Sequence, residues 1–258
     1  MLNYTLPFLP ERSGKPRKTG LTMVMDKGLS VAEAANMADV AAHLVDFVKL
    51  GFGTSAITNR LEEKVKIYRD AGIRVYLGGT LFEAFLIRGM TDEYRKLVDK
   101  LGLDTVEISD GSMALPHEEK CKLIRLFSPD FTTISEVGSK DAAVHLDNSV
   151  WIAQMKAELE AGAFKVIAEA RESGNVGIYN NSGKAETDLI DQIAQAVPVE
   201  SIIWETPLKA QQTWFIKKFG TNVNLGNIAS GEVIATETLR LGLRGDTFFD
   251  FLPEHLRQ

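Results

Sequence analysis

Residues 165–179 read KVIAEARESGNVGIY. The opening apolar run suits a strand buried on both faces, and a glycine-bearing polar segment, 173–177, follows it. Glu169 and Arg171 stand two residues apart, a spacing that in a strand points both side chains to the same side. The expectation is a buried strand whose last inward positions are a carboxylate and a guanidinium. Such burial is costly unless the charges pair with each other or hold something.

The same design recurs along the chain. Apolar runs at 21–25, 46–50, 74–77, 105–109, 132–137, 165 onward, 201–205 and 222–225 each end in polar or glycine residues, and a helical pattern follows each. Ser30 and Glu33 form a capping box before VAEAANMADVAAHL, and Gly72 stops NRLEEKVKIYRDAG. Thr80 and Glu83 are expected to cap the third helix, which breaks at Gly89 and restarts at Thr91. Further helices are expected from Pro116, over WIAQMKAELEAG, LIDQIAQAV and QQTWFIKKFG, and from Ser230 into EVIATETLRLGL.

Eight strand-then-helix units predict an α/β fold, a TIM (β/α)8 barrel in a single domain. An open doubly wound sheet usually carries fewer units and a Gly-rich dinucleotide turn, and no GxGxxG follows the first run. The expected division is an N-terminal arm at 1–20, the barrel at 21–245 and a C-terminal tail at 246–258.

Composition narrows the function. The 258 residues carry a formal charge of -6 and are 45% hydrophobic, which gives no sign of nucleic-acid binding. No run is long and apolar enough to span a membrane, and the first twenty residues lack the apolar core of a signal peptide. With Cys121 as the single cysteine, no intrachain disulfide or cysteine-based zinc site can form, and a cytoplasmic location is expected.

Alternate residues of a barrel strand face inward. If Glu107 does so, then Lys49, Glu136, Glu169, Arg171, Glu205 and Asn224 do so on their own strands. All fall at carboxyl ends, where barrel enzymes keep their active sites. An ionic network that merely plugs the barrel is the alternative, but converging charges are an expensive way to fill space. Carboxylates on four successive strands suit a hard cation, and oxygen-only ligation suits magnesium. Zinc is not expected, because His43, His117, His145 and His255 are scattered. After the eighth run, NLGNIASGE brings backbone amides near a helix start, where many barrels bind phosphate. The loop GSKD places Lys140 close to the mouth.

The segments RKTGLTMVMDKG, DFVKLGFGTSA, GGTLFEAF, VEISDG, ISEVGSKD, KVIAEARESGNVGIY and NVNLGNI together resemble the phosphosulfolactate synthase family, in order from about residue 17 to 246. The resemblance implies a TIM barrel that adds sulfite to phosphoenolpyruvate with Mg2+, giving (2R)-3-sulfolactate 2-phosphate, an early step toward coenzyme M in methanogens. Sulfite is already a good nucleophile, so no catalytic serine or cysteine is required. Attack at C3 pushes charge into the carboxylate as an enolate-like aci-carboxylate, which is then protonated at C2.

On that reading Glu107, Glu136 and Glu169 are the first candidates to hold the metal, with Asp26 and Glu205 in reserve. Lys140 is the candidate C2 proton donor, and Lys49 and Arg171 neutralise substrate anions. Gly226, Asn227 and Ser230 are expected to receive the phosphate, and Lys27, Ser173, Gly174 and Asn224 are further candidates for substrate contact. The resemblance also implies a homo-oligomer, with a trimer as one option. Two other readings stand beside it. One is a non-enzymatic heat-stress-associated barrel protein, which should have lost several mouth charges. The other is a different phosphoenolpyruvate or phosphosugar lyase.

Overall fold

The computed structural model describes residues 3–138, 147–171, 173–180 and 182–257. Eight strands alternate with helices along the chain: β1 (Thr22–Asp26), β2 (Phe47–Leu50), β3 (Arg74–Leu77), β4 (Thr105–Ile108), β5 (Thr132–Val137), β6 (Lys165–Ala168), β7 (Ile202–Glu205) and β8 (Leu225–Ala229). All ladder pairings are parallel, in the order β3-β2-β1-β8-β7-β6-β5-β4. The sheet is a nearly closed TIM barrel, with β3 and β4 facing each other across its seam. Side chains bridge that seam: the Gly79 N–H donates to Glu107 Oε1 at 2.7 Å, and Ser109 donates to Glu83 Oε1 at 2.5 Å.

The helices that clothe the barrel are α1 (Val31–Ala41), α2 (Leu61–Asp70), α3 (Gly79–Leu86), α4 (Thr91–Lys100), α5 (His117–Phe127), α6 (Asn148–Glu160), α7 (Thr187–Ala196), α8 (Lys209–Phe219) and α9 (Val233–Arg240). The Ser30 and Glu33 capping box forms as expected, with bonds of 2.8 and 3.2 Å in its two directions. The break at Gly89 is also present, with φ at 68° where the chain leaves α3 for α4. Two local expectations are corrected. α3 starts at Gly79, and Glu83 reaches Ser109 and the Ser112 N–H at the β4 exit. Ser230 opens a single 3-10 turn before α9, with no side-chain cap.

Strand alternation divides the apolar residues into two bodies. Leu21, Met23, Phe47, Tyr76, Ile134, Ile167 and Ile203 fill the barrel interior. Their neighbours in sequence, such as Val24, Val48, Val75, Val106 and Val166, face the helices in a larger outer core. Burying a Leu, Ile or Val side chain stabilises by roughly 1.5–3 kcal/mol, so every strand is held on both faces.

The amino-terminal end of the barrel is stoppered by charge. Arg240 is fully buried and donates to the carbonyls of Thr221 (2.7 Å), Val223 (2.7 Å) and Leu21 (3.2 Å). Arg12 pairs with Glu237 at 2.8 Å, and Arg17 pairs with Asp46 at 3.2 Å. Through these contacts the arm closes the barrel's base. The tail packs on α8 and α9 by Lys209–Asp246 and Lys217–Asp250 pairs and by Thr247, which donates to Leu239.

Candidate active site

The carboxyl ends of the strands surround a cavity of about 560 Å3, whose lining includes Lys49, Glu136, Glu169, Arg171, Glu205 and Asn227. Each carboxylate arrives there by strand parity, one position above the interior apolar layer: Glu136 above Ile134, Glu169 above Ile167, Glu205 above Ile203. Carboxylate oxygens of Glu136, Glu169 and Glu205 lie within 4.8 Å of one another, and all three residues are buried. Lys49 comes in from β2, with Nζ 2.7 Å from Glu136 Oε2, 3.0 Å from Glu107 Oε1 and 3.8 Å from Glu205 Oε1.

Among the described residues, three buried carboxylates, Glu107, Glu136 and Glu205, share the Lys49 ammonium. Burial alone pulls the Lys49 ammonium down, but Glu107, Glu136 and Glu205 outweigh it and hold the group well above the ordinary lysine value. The opposite happens at Glu205. Burial and the neighbouring Glu136 raise its carboxyl to about 7, against the lowering effects of Lys49 and of the hydrogen bond from Ala170. Its position is fixed from two sides: the Ala170 N–H donates to Oε2 at 2.9 Å, and the Tyr179 hydroxyl donates to its carbonyl at 2.7 Å.

The structure therefore redistributes the expected carboxylates. Glu136 and Glu169 converge with Glu205, the former reserve. Glu107 sits at the β3–β4 seam, bonded to Gly79 and paired with Lys49. Asp26 lies on the helix side of β1. It pairs with Lys64 at 2.9 Å and accepts from Tyr68 at 3.0 Å and from the Gly28 and Leu29 N–H groups at 2.8 Å each.

Residues 169–171 also depart from the expected strand. β6 ends at Ala168 because the next free backbone donor, at Ala170, is taken by the Glu205 carboxylate. Glu169 and Arg171 still line one cavity, as their spacing suggested. They do not pair: Glu169 is buried, while Arg171 is exposed at the rim with no ion pair among the described residues.

Strand eight is shifted by three residues from its expected place, 222–225. Asn224 consequently lies at the amino-terminal end, accepting from the Leu21 N–H and donating to the Glu200 and Ile202 carbonyls. A register shift between β1 and β8 accompanies Asn227, whose φ is 55°. That bulge leaves Gly226 inside the barrel and brings Asn227 to the cavity, where its amide donates to the Ala170 carbonyl at 3.3 Å. A Cβ on Gly226 would lie 2.7 Å from Met23 Cε and 2.8 Å from an Ile203 methyl.

Of the other candidates, Ser173 lines the cavity, whereas Lys27 is exposed just past β1 and Gly174 is packed under Gln211. Ser230 stands at the β8 exit, half-buried. Lys140 lies outside the described residues. Sequence reasoning overlooked the walls opposite the triad, formed by Met25, Phe52, Gly78, Gly79 and Thr80. The Gly78–Gly79 pair was the available signal. A Cβ on Gly79 would stand 2.1 Å from Ser109 Oγ and 2.6 Å from Glu107 Oε1, so the chain must pass there without a side chain.

Fold and mouth together define a TIM-barrel enzyme with buried carboxylates and Lys49 around a small cavity. Residues 10–246 match the family described as (2R)-phospho-3-sulfolactate synthase (ComA), and the chain belongs to that family. It is 44% identical over 244 residues to the phosphosulfolactate synthase of Methanothermobacter thermautotrophicus, covering 92% of this chain and 95% of that one. It is 41% identical over 244 residues to the phosphosulfolactate synthase of Bacillus subtilis, covering 93% and 97%. Among solved structures, 3-hexulose-6-phosphate synthase from Salmonella typhimurium shares the fold, with a TM-score of 0.57 at 13% identity over 87% of this chain and all of that one. No helix among the described residues is long and apolar enough to cross a membrane.

Proposed function

We propose that this enzyme adds sulfite to phosphoenolpyruvate, with magnesium, to give (2R)-3-sulfolactate 2-phosphate. The observation that carries the reading is family membership across residues 10–246 in a chain whose barrel mouth gathers Glu136, Glu169 and Glu205 beside Lys49. A degenerate scaffold kept for a non-enzymatic role has no physical reason to retain that arrangement, since each buried charge weakens the fold unless it is used.

The donor set fits a hard divalent cation. It is all oxygen and it is buried, and burial, with the neighbouring Glu136, pushes the Glu205 carboxyl up to about 7. Glu136, Glu169 and Glu205 would hold the ion, with Glu107 behind Lys49. When bound, Mg2+ would supply Lewis-acid stabilisation for the charge that develops on the substrate carboxylate.

The chain's own groups supply the rest. Lys49, kept cationic, offers fixed positive charge at the cavity floor. Arg171, with no ion pair among the described residues, offers a guanidinium at the rim, with the fork geometry that carboxylate, phosphate and sulfite accept. The β8 exit, from Asn227 to Ser230, would receive the phosphate. As sulfur bonds to C3, the C2–C3 π electrons move toward the carboxylate, and Lys140 delivers a proton to C2. Cys121 is buried among the outer helices and takes no part. The exposed Tyr4, Phe8, Phe248 and Phe249 of the arm and tail are the surface we assign to self-association.

Phosphorus NMR of the purified protein with phosphoenolpyruvate, sulfite and Mg2+ tests the reading, with each component omitted in turn. A new phosphate-ester signal that requires all three is expected, and replacing Lys140 by Ala should abolish it while the protein stays folded. Unchanged phosphoenolpyruvate in the presence of folded protein would overturn the assignment in favour of another nucleophile or a non-catalytic role.

A further inference from the structure

Behind the mouth, on the helix side of β5, lies a second buried charge cluster that the proposed reaction does not touch. Lys120 of α5 is 1% exposed. Its Nζ lies 2.9 Å from Asp110 Oδ1 in the loop after β4, 2.9 Å from Glu158 Oε1 of α6, and 2.6 Å from the backbone carbonyl of Glu136. His117 Nε2 stands 3.2 Å from the same Glu158 oxygen. An ammonium has three donors, and these three acceptors occupy them.

The third acceptor sets this lysine apart. An ion pair that only joined two helices would have no need of a β5 carbonyl. Glu136 is both a member of the carboxylate triad and the nearest partner of Lys49. Fixing its peptide from outside the barrel fixes the direction in which its side chain leaves the strand. Lys64 makes an instructive counterpart on the far side of the mouth. It is equally buried, and among the described residues it bonds Asp26 and the Leu29 carbonyl in the loop after β1, but no triad residue.

We infer that Lys120 is a positioning residue for the metal site: by holding the Glu136 carbonyl it sets the geometry of the three-carboxylate triad. The inference rests on the metal reading above. Groups that orient metal ligands from outside the first coordination sphere typically change affinity by about 10–100-fold when removed.

Mn2+ binding, followed by electron paramagnetic resonance of the free ion, tests it without reference to turnover. Removing Lys120 alone strands Glu158, so the informative variant is the double substitution Lys120→Met with Glu158→Leu, which replaces the pair by apolar side chains of similar size. The expected result is a dissociation constant raised about tenfold or more, on the scale seen when outer-shell groups are removed. Glu158→Gln alone leaves Lys120 on Asp110 and Glu136, and should shift the constant less than about twofold by the same reasoning. Equal affinity in the double variant and the parent would overturn the role of Lys120 while leaving the metal site standing. Equal loss in both variants would show general loosening and overturn it too. A parent protein that fails to bind Mn2+ would remove the metal reading and this inference with it.

Discussion

The two ends of the barrel both bury charge, and they do so in opposite ways. At the base, arginines meet carboxylates and carbonyls: Arg12 with Glu237, Arg17 with Asp46, Arg240 with three backbone oxygens. At the mouth, among the described residues, Glu107, Glu136 and Glu205 lie within 3.8 Å of Lys49, and Glu169 joins Glu136 and Glu205 at the cavity. The base network acts as a stopper, because it ties the arm and α9 to the strand starts. Charge gathered around a cavity can instead act on what enters it, which is why perturbed groups in a cleft mark a candidate site.

The sharpest way to break the contrast is to substitute Lys49 by Met. Turnover should fall at least about 1,000-fold, the upper range for losing one preorganised charge, as checked by steady-state kinetics. Thermal stability should change far less than activity, because Glu107, Glu136 and Glu205 can take up protons once the ammonium is gone. A comparable fall in both would make Lys49 a stopper residue like those of the base.

At the other end, Arg240→Met should cost about 3–5 kcal/mol of stability, the usual penalty for breaking a buried charged cluster. Urea unfolding gives that figure. The substrate affinity and turnover of the remaining folded enzyme should be unchanged. A variant that kept its stability and lost activity would show that the base is not merely structural.

A pH comparison isolates the buried Glu205 carboxyl. The Glu205 carboxyl is raised from its ordinary value of 4.5 to about 7, so between those limits the folded chain binds a proton that the unfolded chain has released. Its contribution to stability is therefore present below about pH 4.5 and is lost as pH rises through about 7, by up to about 3 kcal/mol. Glu205→Gln should remove that component. Urea midpoints in chelator at pH 5 and pH 8 should show the variant gaining on the parent as pH rises, and parallel curves would contradict the raised Glu205 carboxyl.

The smallest effect is expected at the rim. Arg171→Ala should raise KM for the anionic substrate about tenfold, equivalent to about 1.4 kcal/mol, with kcat nearly unchanged. A loss confined to kcat would move Arg171 from capture to chemistry.

By itself the sequence determined the eight strand-helix units and the inward parity that carries Lys49, Glu107, Glu136, Glu169 and Glu205, because a period of two along a buried strand leaves no freedom about which residues face in. It also marked the Ser30 cap and the break at Gly89, both set by local chemistry. Tertiary structure decided the rest. Which carboxylates converge depends on where the sheet stays open, and the β3–β4 seam takes Glu107 while Glu205 joins Glu136 and Glu169. Asp26 was claimed by a lysine of α2, Asn224 fell to the base because it precedes β8, and a bulge just past Leu225 brought Asn227 to the mouth. Such assignments turn on which donor from another element reaches a side chain first. That competition runs between residues far apart in the chain, and no local pattern records its outcome.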